Sequence, residues 1–252
     1  MSIWVKNPSI NIPVHNVIWK IIDFIFPPQC AGCGEIGERF CKNCSGQVQM
    51  ITATVCDKCG EPIANSLHDV ETCKIQLKNI KMIRAFSFYQ PPLSSAIKNL
   101  KYHQDIGVAE VLANFLVELY NKNKLDIDMV IPVPLSSKRL HERGYNQSFL
   151  LALPLSMKIQ KPINKQSLRR VIDTQSQVGL DRHERSNNVS GAFFANSELV
   201  RGKNILLIDD VSTTGSTLEA CASALKLAGA NDIVGLTLAR AVHTHNGFSD
   251  QL

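Results

Sequence analysis

The stretch ILLIDDVSTTGST, residues 205–217, places four apolar residues before two adjacent carboxylates and a loop of hydroxyl side chains around one glycine. The apolar run predicts a buried strand, and the residues after the glycine follow the pattern of a helix. In an open α/β sheet, ligands bind beyond the carboxyl ends of the strands. The stretch therefore predicts a ligand site at a strand-to-helix turn, with Asp209 and Asp210 (the acidic pair) at the sheet edge.

The turn has the features of a phosphate site. Backbone N–H groups at a helix N-terminus attract an anion, the hydroxyl groups add donors, and Gly215 permits close approach of the backbone. No Gly-Lys-Ser/Thr sequence follows, so this is not a Walker loop. We expect the loop at the surface. We predict that a phosphate monoester binds this phosphate loop, which comprises Val211, Ser212, Thr213, Thr214, Gly215, Ser216 and Thr217.

The acidic pair needs a different partner, because adjacent carboxylates repel a bare phosphate. Carboxylates accept hydrogen bonds from sugar hydroxyls, and they also bind a divalent cation that bridges a sugar and a pyrophosphate. Ribose 5-phosphate combines hydroxyls with a phosphate. The stretch therefore predicts a ligand of the ribose 5-phosphate class.

Strand-like and helix-like segments alternate after residue 80. Strands are predicted over residues 83–89, 129–131, 205–208 and 233–238. Helices are predicted over residues 93–102, 106–120, 146–157 and 216–227. This alternation predicts right-handed crossovers and a largely parallel sheet that helices cover on both faces.

The composition is that of a soluble globular protein. Of 252 residues, 44% are hydrophobic and 19% are charged, and the net charge of +5 favours phosphate-bearing partners in general. An apolar run at residues 17–26 is too short to span a bilayer and contains Lys20 and Asp23. We interpret it as a short amphipathic helix. Because no secretory cleavage site follows it, we expect a cytoplasmic protein without a transmembrane segment.

Seven of the 8 cysteines lie before residue 74. Paired C-x-x-C knuckles bring their sulfurs to one point and suit a tetrahedral zinc ion. Disulfides are disfavoured in a cytoplasmic chain. The candidate ligands are Cys30, Cys33, Cys41, Cys44, Cys56, Cys59 and Cys73.

The simplest partition assigns the first four cysteines to one site and the last three to a second. Gln76 stands where the fourth cysteine of the second site is expected, so this site either borrows His68 or stays empty. A site closed by four protein ligands leaves no position for water. We therefore predict structural zinc, which also compensates for the small core of about 60 residues.

The stretch at residues 205–217 resembles the phosphoribosyl pyrophosphate (PRPP) binding motif of type I phosphoribosyltransferases at every position. The resemblance implies that Asp209 and Asp210 hold the ribose 2′- and 3′-hydroxyls. It also implies that residues 212–217 hold the 5′-phosphate and that Mg²⁺ accompanies PRPP.

The chain as a whole is similar to the competence protein F (ComF) family. The similarity rests on I-P-V-P-L at residues 131–135, K-R at 138–139, R-G-Y-N-Q at 143–147, Arg169 with Arg170, Thr174 with Gln177, and Arg185 with Asn188 and Val189. It implies a parallel-sheet type I phosphoribosyltransferase-like fold with an N-terminal zinc-ribbon segment. The implied division is a helix and double ribbon at 1–80, the phosphoribosyltransferase-like domain at 81–242 and a tail at 243–252. The implied role is natural transformation, with single-stranded DNA and a DNA-uptake helicase as partners.

Three basic residues follow the second predicted strand. We expect Lys138, Arg139 and Arg143 to neutralise a pyrophosphate group, because arginine suits bidentate contacts to phosphate oxygens. With the acidic pair, Arg139 and Arg143 are the candidate catalytic residues. Three functions stay open: an active phosphoribosyltransferase, a DNA-handling protein that binds a phosphorylated ligand, and a zinc-scaffolded adaptor with a vestigial site. The intact phosphate loop argues against the last.

Overall fold

The computed structural model describes residues 27–63, 68–171 and 191–241. Three sets of residues discussed above lie outside these ranges. They are the apolar run at 17–26, the motif residues Thr174, Gln177, Arg185, Asn188 and Val189, and the tail at 243–252.

Six strands occur in the described ranges. They are β1 (Met82–Phe88), β2 (Met129–Pro132), β3 (Leu168–Arg170), β4 (Phe193–Ala195), β5 (Ile205–Ser212) and β6 (Ile233–Arg240). Four of them form a sheet in the order β1-β6-β5-β2, and all neighbours in this sheet are parallel. The predicted parallel sheet is therefore confirmed. The antiparallel hairpin β3-β4 was not predicted.

Eight helices accompany these strands in the described ranges. They are α1 (Lys42–Gln47), α2 (Val70–Gln76), α3 (Leu93–Tyr102), α4 (Val108–Asn123), α5 (Ser137–Arg143), α6 (Gln147–Lys158), α7 (Ser197–Val200) and α8 (Ser216–Leu227). No helix of the described residues combines the length and apolar character that crossing a membrane requires. The bounds of α3 and α8 are those that the sequence predicts.

The sheet separates two apolar clusters. One cluster contains buried leucines of α3, α4 and α6, such as Leu100, Leu112 and Leu151. The other contains residues of α8 and of the β3-β4 hairpin, such as Leu218 and Phe193. Every residue of β6 is buried, as expected for a strand covered on both faces.

Strand β5 is longer than predicted. The apolar run ends at Ile208, but the strand continues to Ser212, because Asp209 and Val211 still pair in register with β6. Backbone pairing does not depend on side-chain polarity, so two carboxylates do not end the strand. The turn therefore begins at Thr213 instead of Val211.

The cysteine-rich segment covers the free edge of β1. The Ile51 N–H donates to the Phe86 carbonyl (2.8 Å), and the Ile83 N–H donates to the Lys58 carbonyl (2.7 Å). An uncovered edge strand would offer unpaired backbone groups to other chains. The ribbon thus completes the sheet edge through backbone hydrogen bonds. The division between the two parts at residue 80 stays a prediction.

Candidate ligand site and zinc centres

The acidic pair lies at the carboxyl end of β5, where the sequence predicts it. Asp209 Oδ1 accepts hydrogen bonds from Ser148 Oγ (2.8 Å) and from the Asp210 amide (2.9 Å). Ser148 lies in the first turn of α6, whose N-terminus stabilises a negative charge. Burial, and then the neighbouring charge of Asp210, raise the pKa of Asp209 to about 7.

Asp210 is more deeply buried and has a cationic partner. Its Oδ1 accepts a hydrogen bond from the Val211 amide (2.9 Å), and its Oδ2 lies 2.7 Å from Lys101 Nζ. This second contact is an ion pair between two largely buried groups. Burial alone would lower the pKa of Lys101, but the attraction of Asp210 outweighs it and raises that pKa. The ammonium group therefore stays charged inside the protein.

The phosphate loop combines a left-handed glycine with an unpartnered hydroxyl. Gly215 has φ +83° and caps the N-terminus of α8. Thr214 Oγ1 and Ser216 Oγ lie 2.6 Å apart beside it. Ser212 Oγ is buried and has no hydrogen-bond partner among the described atoms. Buried polar groups are nearly always paired, so this hydroxyl fits a site that a ligand completes.

Gly215 and Ser212 are buried and the other phosphate-loop residues are half-buried, so the expectation that the loop lies at the surface is wrong for Gly215 itself. A Cβ atom at this position would lie 2.5 Å from Ile83 Cδ1 and 3.5 Å from Leu77 Cδ2. Ile83 belongs to β1, and Leu77 directly follows α2. The glycine is therefore favoured by its positive φ and by the close approach of Ile83 Cδ1, whereas Leu77 would stay at an ordinary contact distance from a Cβ atom.

The three predicted pyrophosphate ligands lie on or at the end of α5, which follows β2 at the same sheet edge. Lys138 and Arg139 are exposed, and Lys138 Nζ lies 4.0 Å from Glu142 Oε1. Arg143 lies 5.1 Å over the Tyr102 ring, and its Nη1 donates to Gln147 Oε1 (2.9 Å). No described contact joins the three residues to the acidic pair. Their role with pyrophosphate stays a prediction.

Four cysteines form the first zinc centre, and their sulfur atoms all lie within 4.8 Å of one another. They are Cys30, Cys33, Cys41 and Cys44. The Cys33 and Cys41 sulfurs are 3.8 Å apart. Tetrahedral coordination with Zn–S bonds of about 2.3 Å requires a separation of about 3.8 Å. Amide groups of Gly32 and Cys41 donate to Cys30 Sγ (3.4 and 3.3 Å), as suits a thiolate. The residues therefore fit a zinc ion.

Four residues also form a second zinc centre: Cys56, Cys59, His68 and Cys73. The Cys56 and Cys73 sulfurs are 3.8 Å apart, and Cys59 Sγ lies 3.7 Å from His68 Nε2. Of the two alternatives that the sequence leaves open, the geometry favours the one in which His68 completes the site. Gln76 is not needed as a ligand.

A buried ion pair supports the second zinc centre. His68 Nδ1 lies 3.4 Å from Glu61 Oε2, and the same oxygen accepts from Arg240 Nη2 (2.8 Å). Arg240 Nη1 donates to the Cys59 carbonyl (2.7 Å). A carboxylate on the outer nitrogen of a zinc-bound histidine fixes its tautomer and orientation. Arg240 ends β6, so this support connects the ribbon to the sheet.

Comparison with known proteins identifies the family. The double zinc ribbon domain family matches residues 21–75, and the phosphoribosyl transferase domain family matches residues 151–245. The DNA utilization protein YhgH of Salmonella typhimurium is 31% identical over 208 residues, which cover 80% of this chain and 90% of that protein. This chain belongs to the ComF family. Competence protein F of Haemophilus influenzae is 31% identical over 210 residues, covering 79% of this chain and 90% of its own.

A third relative matches over a longer part of the chain. Competence protein ComFC of Bacillus subtilis is 26% identical over 236 residues, which cover 90% of this chain and 91% of that protein. The type I phosphoribosyltransferase-like fold with an N-terminal zinc ribbon, which the ComF resemblance implied, is confirmed. The ribbon family and the two ligand clusters together support structural zinc.

Sequence reasoning missed Lys101 and Ser148 as neighbours of the acidic pair. Lys101 lies one helical turn after the buried Ile97 and therefore on the apolar face of α3. A lysine is not expected on that face, because the face packs against the core. The position of this lysine was a sequence signal that could have identified Lys101. No such signal marks Ser148, because serine is common in the first turn of a helix.

Proposed function

We propose that this protein binds PRPP or a related ribose 5-phosphate ligand at the carboxyl end of β5. The acidic pair accepts hydrogen bonds from the ribose hydroxyls, and the phosphate loop holds the 5′-phosphate. The observation that carries the proposal is the buried, unpartnered Ser212 Oγ three residues before the left-handed glycine at the N-terminus of a 12-residue helix. Such a helix end attracts an anion, and the orphan hydroxyl supplies a further donor.

The pyrophosphate of PRPP extends towards α5 in this proposal. Helix α5 follows β2, which is the neighbour of β5 in the sheet. Lys138, Arg139 and Arg143 would there neutralise the pyrophosphate together with Mg²⁺, which binds phosphate oxygens and keeps several waters. Each of the three side chains reaches solvent to some degree, so they are available to a ligand.

The test changes both members of the acidic pair to asparagine. Hydrogen bonds to charged groups contribute roughly 1.5–3 kcal/mol each, so PRPP affinity should fall tens-fold or more. Inorganic phosphate should still bind, because the loop is intact. Calorimetric titration with both ligands measures the difference, and circular dichroism checks the fold, since Lys101 loses its charged partner.

The exposed Asp232, which pairs with Lys81, provides the matched control as Asp232→Asn. This variant should bind PRPP like the parent. If the doubly changed protein also binds PRPP like the parent, the carboxylates do not hold the sugar and the proposal is wrong.

Catalysis is a second candidate, favoured by a complete acidic pair and phosphate loop at one sheet edge. In that case the protein transfers ribose 5-phosphate from PRPP to an acceptor, and C1 of the ribose exchanges its bond to pyrophosphate for one to the acceptor. Incubation with PRPP, Mg²⁺ and a panel of nucleobases and amines tests this. Acceptor-dependent release of pyrophosphate supports catalysis, and its absence across the panel leaves binding as the function.

We propose that the ligand site serves DNA uptake in the cytoplasm, with single-stranded DNA and a DNA-uptake helicase as partners. The names of the ComF relatives, competence protein and DNA utilization protein, support this role. The net charge of +5 favours phosphate contacts. Binding to single strands should be independent of sequence and should weaken at least about tenfold between roughly 50 and 200 mM salt. Affinity that does not change with salt would contradict this.

A further inference from the structure

Lys101 has no assigned role, yet its ammonium group lies against the acidic pair. Its side chain is 12% exposed and that of Asp210 is 5% exposed, with 2.7 Å between Lys101 Nζ and Asp210 Oδ2. Lys101 comes from α3, more than a hundred residues before β5 in the chain. Burial of a charged lysine carries a desolvation penalty that only a good partner offsets. The pairing is therefore a built feature of the site.

Lys101 leaves few carboxylate oxygens for a metal ion. Both oxygens of Asp210 are engaged, one by the Val211 amide and one by the ammonium group. Asp209 Oδ1 accepts two hydrogen bonds, so Asp209 Oδ2 is the one oxygen of the acidic pair without a described partner. Mg²⁺ and Mn²⁺ prefer several oxygen ligands in near-octahedral geometry. One free oxygen next to an ammonium group is a poor site for either ion.

We propose that Lys101 is the resident counter-ion of the acidic pair and that it keeps divalent cations from binding there before the sugar ligand does. A divalent cation then enters with the pyrophosphate of the ligand instead of preceding it. The identity of that ligand rests on the proposed function. The exclusion of the metal ion by Lys101 does not depend on which ligand binds.

The experiment uses Mn²⁺ alone as the probe, with zinc-loaded full-length protein and no sugar ligand. The paramagnetic resonance signal of free Mn²⁺ reports binding. The parent and Lys101→Arg, which keeps the charge, should show no saturable binding in the millimolar range. Lys101→Met should bind Mn²⁺ at least about tenfold more tightly, because the positive charge 2.7 Å from Asp210 Oδ2 has gone. Adding Asp210→Asn to Lys101→Met should remove the gain.

Lys98 provides the matched control, because it lies on the same helix and no described ion pair joins it to either aspartate. Lys98→Met should behave like the parent. If Lys101→Met does not fold, Lys101→Gln, whose shorter side chain keeps an N–H donor but carries no charge, gives the same test.

Two results overturn the proposal. One is parent protein that binds Mn²⁺ as tightly as Lys101→Met does, with loss of this binding when both aspartates are changed to asparagine. The other is a folded, uncharged Lys101 variant with no gain in Mn²⁺ affinity. Failure of the parent to bind PRPP by calorimetry would instead overturn the proposed function and leave the Mn²⁺ result standing.

Discussion

The two zinc centres have similar sequences but different surroundings. The first packs against the helices on one face of the sheet. Its Phe40 contacts Phe115 of α4 edge to face, with 6.2 Å between the ring centroids. Asn99 of α3 donates to the Ala31 carbonyl (2.9 Å). No described contact of this centre reaches the phosphate loop.

The second zinc centre packs against the ligand site. Its outer partner Arg240 pairs in register with Ser212, the last residue of β5. Leu77, which follows α2, and Ile83 of β1 lie near Gly215, at 3.5 Å and 2.5 Å from where its Cβ atom would be. Glu219 of α8 accepts hydrogen bonds from the amides of Asn79 (3.0 Å) and Ile80 (3.0 Å). The first zinc centre therefore packs against the helices, whereas the second lies beside the phosphate loop.

The largest effect should come from removing each centre in turn. We expect Cys30→Ser with Cys44→Ser, and Cys56→Ser with Cys73→Ser, each to lose one zinc ion per chain. Apparent zinc-binding free energies of about 10–16 kcal/mol in isolated zinc-finger peptides show how much stability such a site can supply. Only the second pair of substitutions should also weaken phosphate binding, by about tenfold or more, because Leu77 and Ile83 beside that centre lie near Gly215 and the Asn79 amide donates to Glu219 of α8.

Metal analysis and phosphate calorimetry on the same preparations separate the two outcomes, and circular dichroism identifies any variant that unfolds. Equal losses of phosphate affinity in the two folded variants would contradict the difference between the two zinc centres. Such a result would show that the whole ribbon acts on the loop as one unit.

Local patterns predicted much of this fold, and non-local contacts explain the rest. The bounds of α3 and α8 follow from apolar periodicity and from the glycine that precedes α8. The end of β5 was wrong, because pairing with β6 extends the strand through two carboxylates. The hairpin β3-β4 has three residues per strand, too few to show a period.

Some residues of the candidate site could likewise be predicted from the sequence, and others could not. Motif spacing predicted the acidic pair, the phosphate loop and the cysteine ligands, whose functional roles still require the experiments above. Lys101 meets Asp210 only after the chain has crossed the sheet, so no spacing rule pairs them. The partnership of Glu61 with Arg240 likewise spans 179 residues. Sequence periodicity carries no information about which loops meet at one edge.

A smaller effect should come from the support of the second zinc centre. Glu61→Gln removes the charge that Arg240 and His68 share, and loss of such an outer partner weakens metal binding about 10–100-fold. Competition with a chelator should show one zinc ion per chain released more readily. Glu38→Gln is the matched control, because Glu38 accepts from the Lys42 amide beside the first zinc centre (3.1 Å). Equal release in both variants would contradict the assignment of Glu61.

The smallest effect should come from the contact between the ribbon side and the loop. Gly215→Ala forces a side chain into a left-handed conformation, which costs roughly 1–2 kcal/mol, and places its Cβ against Ile83 Cδ1. Phosphate affinity should fall about tenfold by calorimetry. Gly202→Ala controls for backbone strain, because Gly202 has φ +70° but open space around its Cα. That variant should lose stability and keep its phosphate affinity.

Adding Ile83→Val to Gly215→Ala sharpens this test. Valine lacks the Cδ1 atom that the new Cβ would meet, so the double variant should recover part of the lost phosphate affinity, although Ile83→Val alone costs about 0.5–1.5 kcal/mol of stability. Recovery would show that packing from the ribbon side sets the position of the loop. If Ile83→Val restores nothing, backbone strain at Gly215 accounts for the loss, and the second zinc centre does not act on the ligand through this contact.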